Sequence, residues 1–257
     1  MNVETYIPSE ILRPYIRKYM VIETADERIN RILPDTSFAL AFRLKGQVNY
    51  LHGGSPDQLP FSVISGLRKT PRMVKYIENS ATVIIHFKET GPAAFFKVPL
   101  YELFEQSISL EYLIPSTGIT NIEEQLSEAQ NNRQRIAVIE HFLLSRFQPH
   151  VPDRLIGEAL RNIYAAKGSL KIKALADHLY ISHDAFEKRF RKATGTTPKQ
   201  FSSIVRMKAV VESVRQNHTL ADVTFGNGFF DQPHFNKEFR LFTGQTPTNF
   251  IKSAPAW

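Results

Sequence analysis

Two stretches of the chain carry clusters of polar side chains that could bind a partner through hydrogen bonds and charge. Both combine cations with amide, imidazole or carboxylate groups. Side chains of this kind suit the recognition of base edges and phosphates. The candidate recognition residues are His183, Asp184, Glu187, Lys188 and Arg191 in the first stretch, and Gln232, Pro233, Asn236, Lys237 and Arg240 in the second.

The two stretches are copies of one repeat with an offset of 49 residues. An internal repeat constrains the architecture, and two copies are too few for a solenoid, so they indicate two copies of one small module. Outside the polar positions the match extends to apolar, turn and capping residues. The matching pairs include Phe186 with Phe235, Phe190 with Phe239, Ala193 with Phe242, Thr194 with Thr243, Gly195 with Gly244, Thr197 with Thr246, Pro198 with Pro247, and Phe201 with Phe250.

The spacing of the apolar residues predicts a helix in each copy. Phe186, Phe190 and Ala193 fall at i, i+4 and i+7, which places them on one buried face and the polar candidates on the other. Ser182 and Asp231 are suitable N-caps for the two helices. Each copy then closes with Thr-Gly-x-Thr-Pro, in which glycine ends one helix and Thr-Pro begins the next.

A shorter apolar segment precedes each of these helices. In the first copy it includes Leu175 and Leu179, and in the second copy it begins with Leu220, Val223 and Thr224. Helix, short turn and second helix form the helix-turn-helix arrangement. The sequence therefore predicts two such motifs in tandem, joined by a helix from Thr197 to about residue 216.

Residues 169–251 resemble the double helix-turn-helix DNA-binding domain of AraC/XylS-type transcription regulators. The resemblance implies sequence-specific binding of double-stranded DNA, with Arg191 and Arg240 placed for phosphates. Three positions depart from the family pattern: Tyr180, Thr224 and Asn227. The implied base-reading residues are Asp184, Glu187, Lys188, Gln232, Asn236 and Lys237.

Charge is concentrated in the part of the chain that carries the repeat. Residues 1–149 contain 16 Lys and Arg and 16 Asp and Glu, whereas residues 150–257 contain 16 and 9, so the net charge of +7 lies entirely in the second part. A basic domain beside a neutral one is the electrostatic signature of a phosphate-backbone binder.

The first part of the chain has a different pattern, for which we expect a small antiparallel β-barrel or sandwich. Short apolar runs at 38–44, 47–51, 62–64, 73–77 and 82–87 are separated by turn residues. A short helix, interrupted near Pro14, is predicted over 9–20, and further helices are predicted over 93–148. Two prolines near residue 150 suggest a boundary between domains 1–150 and 151–257. The predicted fold class is α+β, with an all-α second domain.

The N-terminal part also resembles the regulatory domain of one subgroup of these regulators. The residues that carry this resemblance include Pro8-Ser9-Glu10, Leu33-Pro34-Asp35 and Gly66-x-Arg68. The resemblance implies a cupin-like domain that senses a small-molecule effector, dimerises, or both. A homodimer would use residues 121–147, through an exposed stripe of Ile136, Ile139 and Leu143. The alternatives are a protein-interaction module without ligand and a metal-free cupin-like enzyme. Candidate ligand-binding residues are Phe38, Phe42, Arg43 and His86.

Several classes of function lack their residues in this sequence. The chain has no Cys, which excludes disulfides, thiol catalysis and thiolate metal sites. No phosphate-binding glycine loop or nucleophile elbow occurs, and the histidines are dispersed, so we expect no enzyme activity, no cofactor and no metal. No apolar run is long enough to cross a membrane, and no signal peptide is visible, so we expect a cytoplasmic protein.

Overall fold

The structure, a computed structural model, describes residues 1–52, 55–148, 153–216, 226, 229 and 231–252. The chain divides into two compact units, of which the first comprises 1–30, 37–66 and 73–151. The second comprises 31–36, 67–72 and 152–257. The first unit is built mainly of strands and the second mainly of helices, so the chain is a mixed α and β protein.

The strands form two sheets. The described residues contain β1 (Asn2–Tyr6), β2 (Ile16–Thr24), β3 (Arg28–Ile32), β4 (Ala39–Lys45), β5 (Val48–His52), β6 (Ser55–Gln58), β7 (Ser62–Ser65), β8 (Arg72–Tyr76), β9 (Ser80–Phe87) and β10 (Ser107–Ser109). The larger sheet has the order β1-β2-β9-β4-β7-β10, and its neighbouring strands run antiparallel. The smaller sheet has the order β3-β8-β5-β6.

A shared apolar core joins the two sheets. Ile22 of the larger sheet is buried with Val48, Val74 and Tyr76 of the smaller one. Both sheets have two edge strands in the described order, so the strands form a sandwich and not the closed barrel that the sequence suggested. In a sandwich and in a barrel alike, each strand buries one face, so both produce the same alternation of apolar and polar residues. The sequence pattern alone therefore could not distinguish a sandwich from a barrel.

Helix α2 (Asn132–Leu144) covers the opposite face of the larger sheet, and α1 (Ser116–Glu128) packs against α2. The ring of Phe42 in β4 meets that of Phe142 in α2 edge to face, with centroids 5.9 Å apart. The hydroxyl of Tyr19 in β2 donates to Oε1 of Glu140 in α2 at 3.0 Å, which supplies a partner for a polar group whose residue is fully buried.

The apolar stripe of α2 is buried within the single chain. Ile136, Ile139 and Leu143 are each less than 9% exposed. The expectation that this stripe is exposed and available to a second chain is therefore wrong. The periodicity correctly identified a face that must be covered, but a helix pattern does not say whether the cover comes from the same chain.

The predicted helix over 9–20 is also wrong. Residues 10–15 form turns, with the amide of Ile16 donating to the carbonyl of Leu12, and Ile16 then begins β2. Pro14 cannot continue a helical ladder, and the following β-branched and aromatic residues favour a strand. Short 3₁₀ helices occur at Gly91–Ala94, Leu100–Leu103 and Leu110–Tyr112.

The second unit begins with α3 (Arg154–Ala165), which lies before the repeat. The described helices that the repeat predicted are α4 (Ile172–His178), α5 (His183–Thr194), α6 (Pro198–Arg215), α7 (Gln232–Thr243) and α8 (Pro247–Lys252). The predicted first helix of the second motif, with Leu220, Val223 and Thr224, lies outside the described residues, as does Asn227.

Phenylalanine packing repeats between the two copies. Phe186 and Phe190 of α5 lie edge to face at 5.7 Å, and Phe190 meets Phe201 of α6 at 5.5 Å. The equivalent contacts in the second copy are Phe235 with Phe239 at 5.6 Å and Phe239 with Phe250 at 5.4 Å. The sequence repeat is thus a repeat of the same side-chain core.

Candidate nucleic-acid interface

The first candidate recognition helix, α5, begins and ends where the sequence predicted. The hydroxyl of Ser182 accepts a hydrogen bond from the amide of Ala185 at 3.4 Å. Gly195 ends the helix with φ 79°, a left-handed conformation that favours glycine. Phe186, Phe190 and Thr194 are fully buried on one face, so the opposite face of the helix is turned outward.

The second candidate recognition helix, α7, is built in the same way. The carboxylate of Asp231 accepts from the amide of His234 at 2.8 Å, and Pro233 lies in the first turn, where its missing N–H costs no hydrogen bond. Gly244 ends the helix with φ 74°. Phe235 and Phe239 are fully buried.

All ten candidate recognition residues lie on these two helices. Nine are exposed, and Glu187 is half-buried. Within α5 the imidazole of His183 lies 3.7 Å from the carboxylate of Asp184. Each helix therefore presents one polar surface that combines hydrogen-bonding groups with cations. A DNA contact by any of the ten stays a prediction.

Helix α6 connects the two copies and has a strong start. Thr197 and Gln200 form a capping box, in which the Thr197 hydroxyl accepts from the Gln200 amide at 3.2 Å and the Gln200 side chain accepts from the Thr197 amide at 3.2 Å. Pro198 occupies the first helical position. The capping box therefore gives two backbone amides at the start of α6 an acceptor and stabilises this end of the helix.

The structure adds an ion pair on α5 that the sequence did not reveal. Nε and Nη2 of Arg189 donate to the two oxygens of Asp153, at 2.6 and 2.9 Å. Asp153 is also the N-cap of α3, where Oδ1 accepts from the amides of Leu155 and Ile156. Asp153 therefore both starts α3 and ties α5 to it.

The pKa of Asp153 reflects this double role. Partial burial raises the pKa, but the hydrogen bonds from Arg189 and from the amides of Ile156 and Leu155 outweigh burial and hold it below its ordinary value. A carboxyl group with a lowered folded-state pKa stabilises the fold above its unfolded-state pKa. That contribution is lost as the pH falls through the lowered value.

A second unpredicted ion pair holds α7. Nη2 of Arg206 in α6 donates to Oε2 of Glu238 at 2.7 Å, and the guanidinium of Arg206 lies 4.3 Å from the ring centroid of Phe229. Nε2 of His234, one turn earlier on α7, lies 3.1 Å from Oε1 of Glu238. Glu238 is thus shared between its own helix and the connecting helix.

The four candidate ligand-binding residues of the first unit lie on two faces of the larger sheet. Phe42 points to the α2 side, where it contacts Phe142. His86 pairs in register with Ala39, and Arg43 lies one residue from Phe42, so both face the smaller sheet. Phe38 is fully buried. The four side chains do not surround one cavity, and their contact with a ligand stays a prediction.

No group of three or more metal-ligating side chains occurs within the described part of the chain. Among the helices that the structure describes, none combines the length and apolar character needed to span a membrane.

Comparison with known proteins agrees with this geometry. Residues 175–253, which span both copies of the repeat, match the model of a family described as a helix-turn-helix domain. A curated relative, the Msm operon regulatory protein of Streptococcus mutans, is 27% identical over 157 residues. Both findings support the resemblance of residues 169–251 to the DNA-binding domain of AraC-type regulators. Residues 4–109 match a second model, described as a domain of unknown function, DUF6597.

The aligned region covers 59% of this chain and 55% of the Streptococcus relative, so the chain spans about half the length of that protein. ToxT from Vibrio cholerae with an unsaturated fatty acid bound is 10% identical, with TM-score 0.46 over 93% of this chain and 96% of that one. The C-terminal domain of AraT from Geobacillus stearothermophilus is 15% identical, with TM-score 0.38 over 40% and 87%. Scores below 0.5 do not establish a shared fold.

The capped starts of the two recognition helices lead to a first prediction. Ser182→Ala and Asp231→Ala should each lower the free energy of unfolding by about 1 kcal/mol, because an amide at the helix start loses its acceptor. Urea unfolding followed by far-ultraviolet circular dichroism measures the change. The matched control is Asp231→Asn, since asparagine caps as well as aspartate. Equal stability of the alanine variants and the wild type would contradict the cap assignment.

Proposed function

We propose that this chain is a transcription regulator that binds double-stranded DNA sequence-specifically through α5 and α7. The observation that carries the proposal is the repeated geometry: the same buried phenylalanines turn two polar helix surfaces outward, in the basic part of the chain. A helix of this kind fits the major groove with its N-terminal residues at base edges. The name of the Streptococcus relative refers to the regulation of an operon, which agrees with the proposal.

The division of labour within the interface follows from the chemistry of the side chains. Lysine donates to guanine, and glutamine or asparagine bonds adenine through two hydrogen bonds. We assign base reading to Lys188 in α5 and to Gln232, Asn236 and Lys237 in α7, with Asp184 and Glu187 accepting from cytosine amines. Arg191 and Arg240, near the ends of their helices, are assigned to phosphates. His183 and Pro233 lie at the helix starts beside these residues.

We assign residues 151–257 to DNA binding and residues 1–150 to regulation. The regulatory part is neutral, so it adds little to the attraction of phosphates. Its cupin-like architecture and a homodimer through residues 121–147 belong to the proposal. Because the apolar stripe of α2 is covered within the chain, a dimer through residues 121–147 would have to use the exposed residues of α1 and α2. A regulator of this type acts where its DNA is, and a cytoplasmic location belongs to the proposal.

One face of the larger sheet has features that favour the binding of a small-molecule effector. Ala39, Ala41, Ile84 and His86 share that face and are only half-buried, although β4 and β9 are interior strands of the sheet. Ile84 packs on the apolar core between the sheets, so the incompletely covered surface adjoins that core. The face also carries Ser65, whose Oγ lies 2.5 Å from that of Ser107 and 3.4 Å from the hydroxyl of Tyr50. Apolar surface with few polar groups is typical of ligand sites.

The proposal predicts a steep salt dependence. For a duplex selected from a random library with the wild-type chain, log K plotted against log salt should have a slope of about −4 or steeper, because each neutralised phosphate contributes about −0.9. Fluorescence anisotropy on the full chain measures the slope, with an unselected duplex of the same length as the control. A flat plot would overturn DNA binding.

Reading and anchoring should separate by substitution. Lys188→Ala and Lys237→Ala should each cost about 1–3 kcal/mol on the selected duplex and less on an unselected one, because base contacts are sequence-dependent. Arg240→Ala should weaken both duplexes alike. Lys97→Ala, an exposed lysine of the first unit, is the control. If the three changes leave the ratio of the two affinities unaltered, the assignment of the helix faces is wrong.

The effector face can be probed without knowing the natural ligand. 1-Anilinonaphthalene-8-sulfonate, an aromatic anion that fluoresces in apolar sites, should bind the full chain, and Ala41→Trp should abolish most of the fluorescence gain by filling the surface. The matched control is Ala137→Trp, at an exposed position on α2. Equal fluorescence of the wild type and Ala41→Trp would favour a protein-interaction module without ligand.

A further inference from the structure

The two recognition helices carry opposite charges at one repeat-equivalent position. Arg189 and Glu238 are 49 residues apart, the repeat offset, and each follows the first buried phenylalanine of its helix by three residues. At 3.6 residues per turn, this position lies about 60° around the helix axis from the first buried phenylalanine, on the flank of the buried face, whereas Lys188 and Lys237 lie about 160° from it. The base-reading surface therefore lies elsewhere on each helix.

Each of these residues is held by the helix that precedes its motif. Arg189 makes a two-point ion pair with Asp153 at the start of α3, and Glu238 accepts from Arg206 in the middle of α6. The side chains of Arg206 and Glu238 are 19% and 25% exposed, so water screens this pair only partly. The two copies thus use the same anchoring position with the charges exchanged.

We propose that Arg189 and Glu238 are positioning residues for DNA reading, an inference that rests on the proposed function. The phenylalanines determine which face of each helix is buried, and an ion pair on the flank of that face limits rotation of the helix about its own axis. A two-point arginine–carboxylate contact suits this role because its geometry is directional. Base readout depends on that rotation, whereas phosphate contacts tolerate more movement.

The pairing also determines what Arg189 does electrostatically. A cation on a recognition helix would ordinarily be assigned to a DNA phosphate. Here the guanidinium donates to both oxygens of Asp153, and the carboxylate neutralises its charge, so Arg189 adds little to the DNA-binding charge. Removal of the Asp153 charge should release it. Loss of the anchor therefore lowers selectivity while nonspecific attraction is kept or increased.

The exchanged signs restrict each recognition helix to its own supporting helix. If α7 were placed against α3, Glu238 would meet Asp153, and if α5 were placed against α6, Arg189 would meet Arg206. Like charges in contact are unfavourable, so the two copies of one core pattern are kept distinct during folding. Opposite charges at an equivalent position give this discrimination without a change in the shared phenylalanine core.

The test uses three isosteric substitutions in the full chain, each of which raises the net charge by one. Asp153→Asn removes the charge but keeps a residue that caps α3 well. Glu238→Gln removes the charge of the second anchor. Glu158→Gln is the matched control, because Glu158 pairs with Arg161 inside α3 and with no recognition helix. Affinity is measured for the selected duplex and for an unselected one, over a range of salt.

For Asp153→Asn and Glu238→Gln we expect the ratio of selected to unselected affinity to fall about tenfold, within the range for a lost base contact. Affinity for the unselected duplex should stay level or rise, with an equal or steeper salt slope. Glu158→Gln should keep the wild-type ratio. A ratio unchanged in both anchor variants, with only their melting temperatures lowered, would overturn the proposal and assign the pairs to stability alone. If the wild type itself shows no salt-dependent binding, the proposed function fails instead.

Discussion

Burial of paired phenylalanines is the constraint on which both recognition helices depend. Phe186 and Phe190 in one copy, and Phe235 and Phe239 in the other, are fully buried and interlock with a third phenylalanine after the Thr-Pro junction. Removing one such ring from a core costs about 3–5 kcal/mol, a large part of the stability of a small domain. The buried rings decide which side of each helix is left for recognition.

Polar groups complete the same design at the helix ends. The hydroxyl of Thr194 lies 3.0 Å from the carbonyl of Phe190, and that of Thr243 lies 2.7 Å from the carbonyl of Phe239. Both threonines are buried and both precede a glycine in the left-handed conformation. Each threonine hydroxyl thus has an acceptor one turn earlier in its helix, and the amide of the following glycine donates to the carbonyl of Arg191 or Arg240. This explains why the match between the copies includes polar residues as well as the core.

Sequence alone predicted the second unit well because its signals are local. The caps at Ser182 and Asp231, the glycine at 195 and the spacing of the phenylalanines all act within one or two helical turns. What sequence missed depends on distant pairs. Arg189 and Asp153 are 36 residues apart, and Arg206 and Glu238 are 32 apart, so neither ion pair has a periodic signature. Repeat-equivalent positions of opposite charge were the one available indication.

The first unit was harder to predict for the same reason. Runs around β4, β7, β8 and β9 were recognisable because their apolar residues are continuous or alternate. Strand β2 was missed because the residues around Pro14 were interpreted as a helix that continued into it. Whether the strands closed into a barrel depended on pairings between strands far apart in sequence. The inner face of β4 illustrates the limit: Ala39 and Ala41 are typical of a tightly packed strand, yet the structure leaves them half-buried.

The charge distribution assigns the attraction of DNA to the second part of the chain and leaves regulation to the first. Nonspecific attraction to DNA scales with the cations of the second part of the chain, and the neutral first part neither adds to it nor opposes it. An effector bound to the first unit can regulate only if it binds one arrangement of the protein more tightly than another. Because the anchors hold the reading surfaces in fixed orientation on their supporting helices, we expect such regulation to change how the whole second unit is presented to DNA. The rotation of a single recognition helix would then stay constant between the active and inactive arrangements.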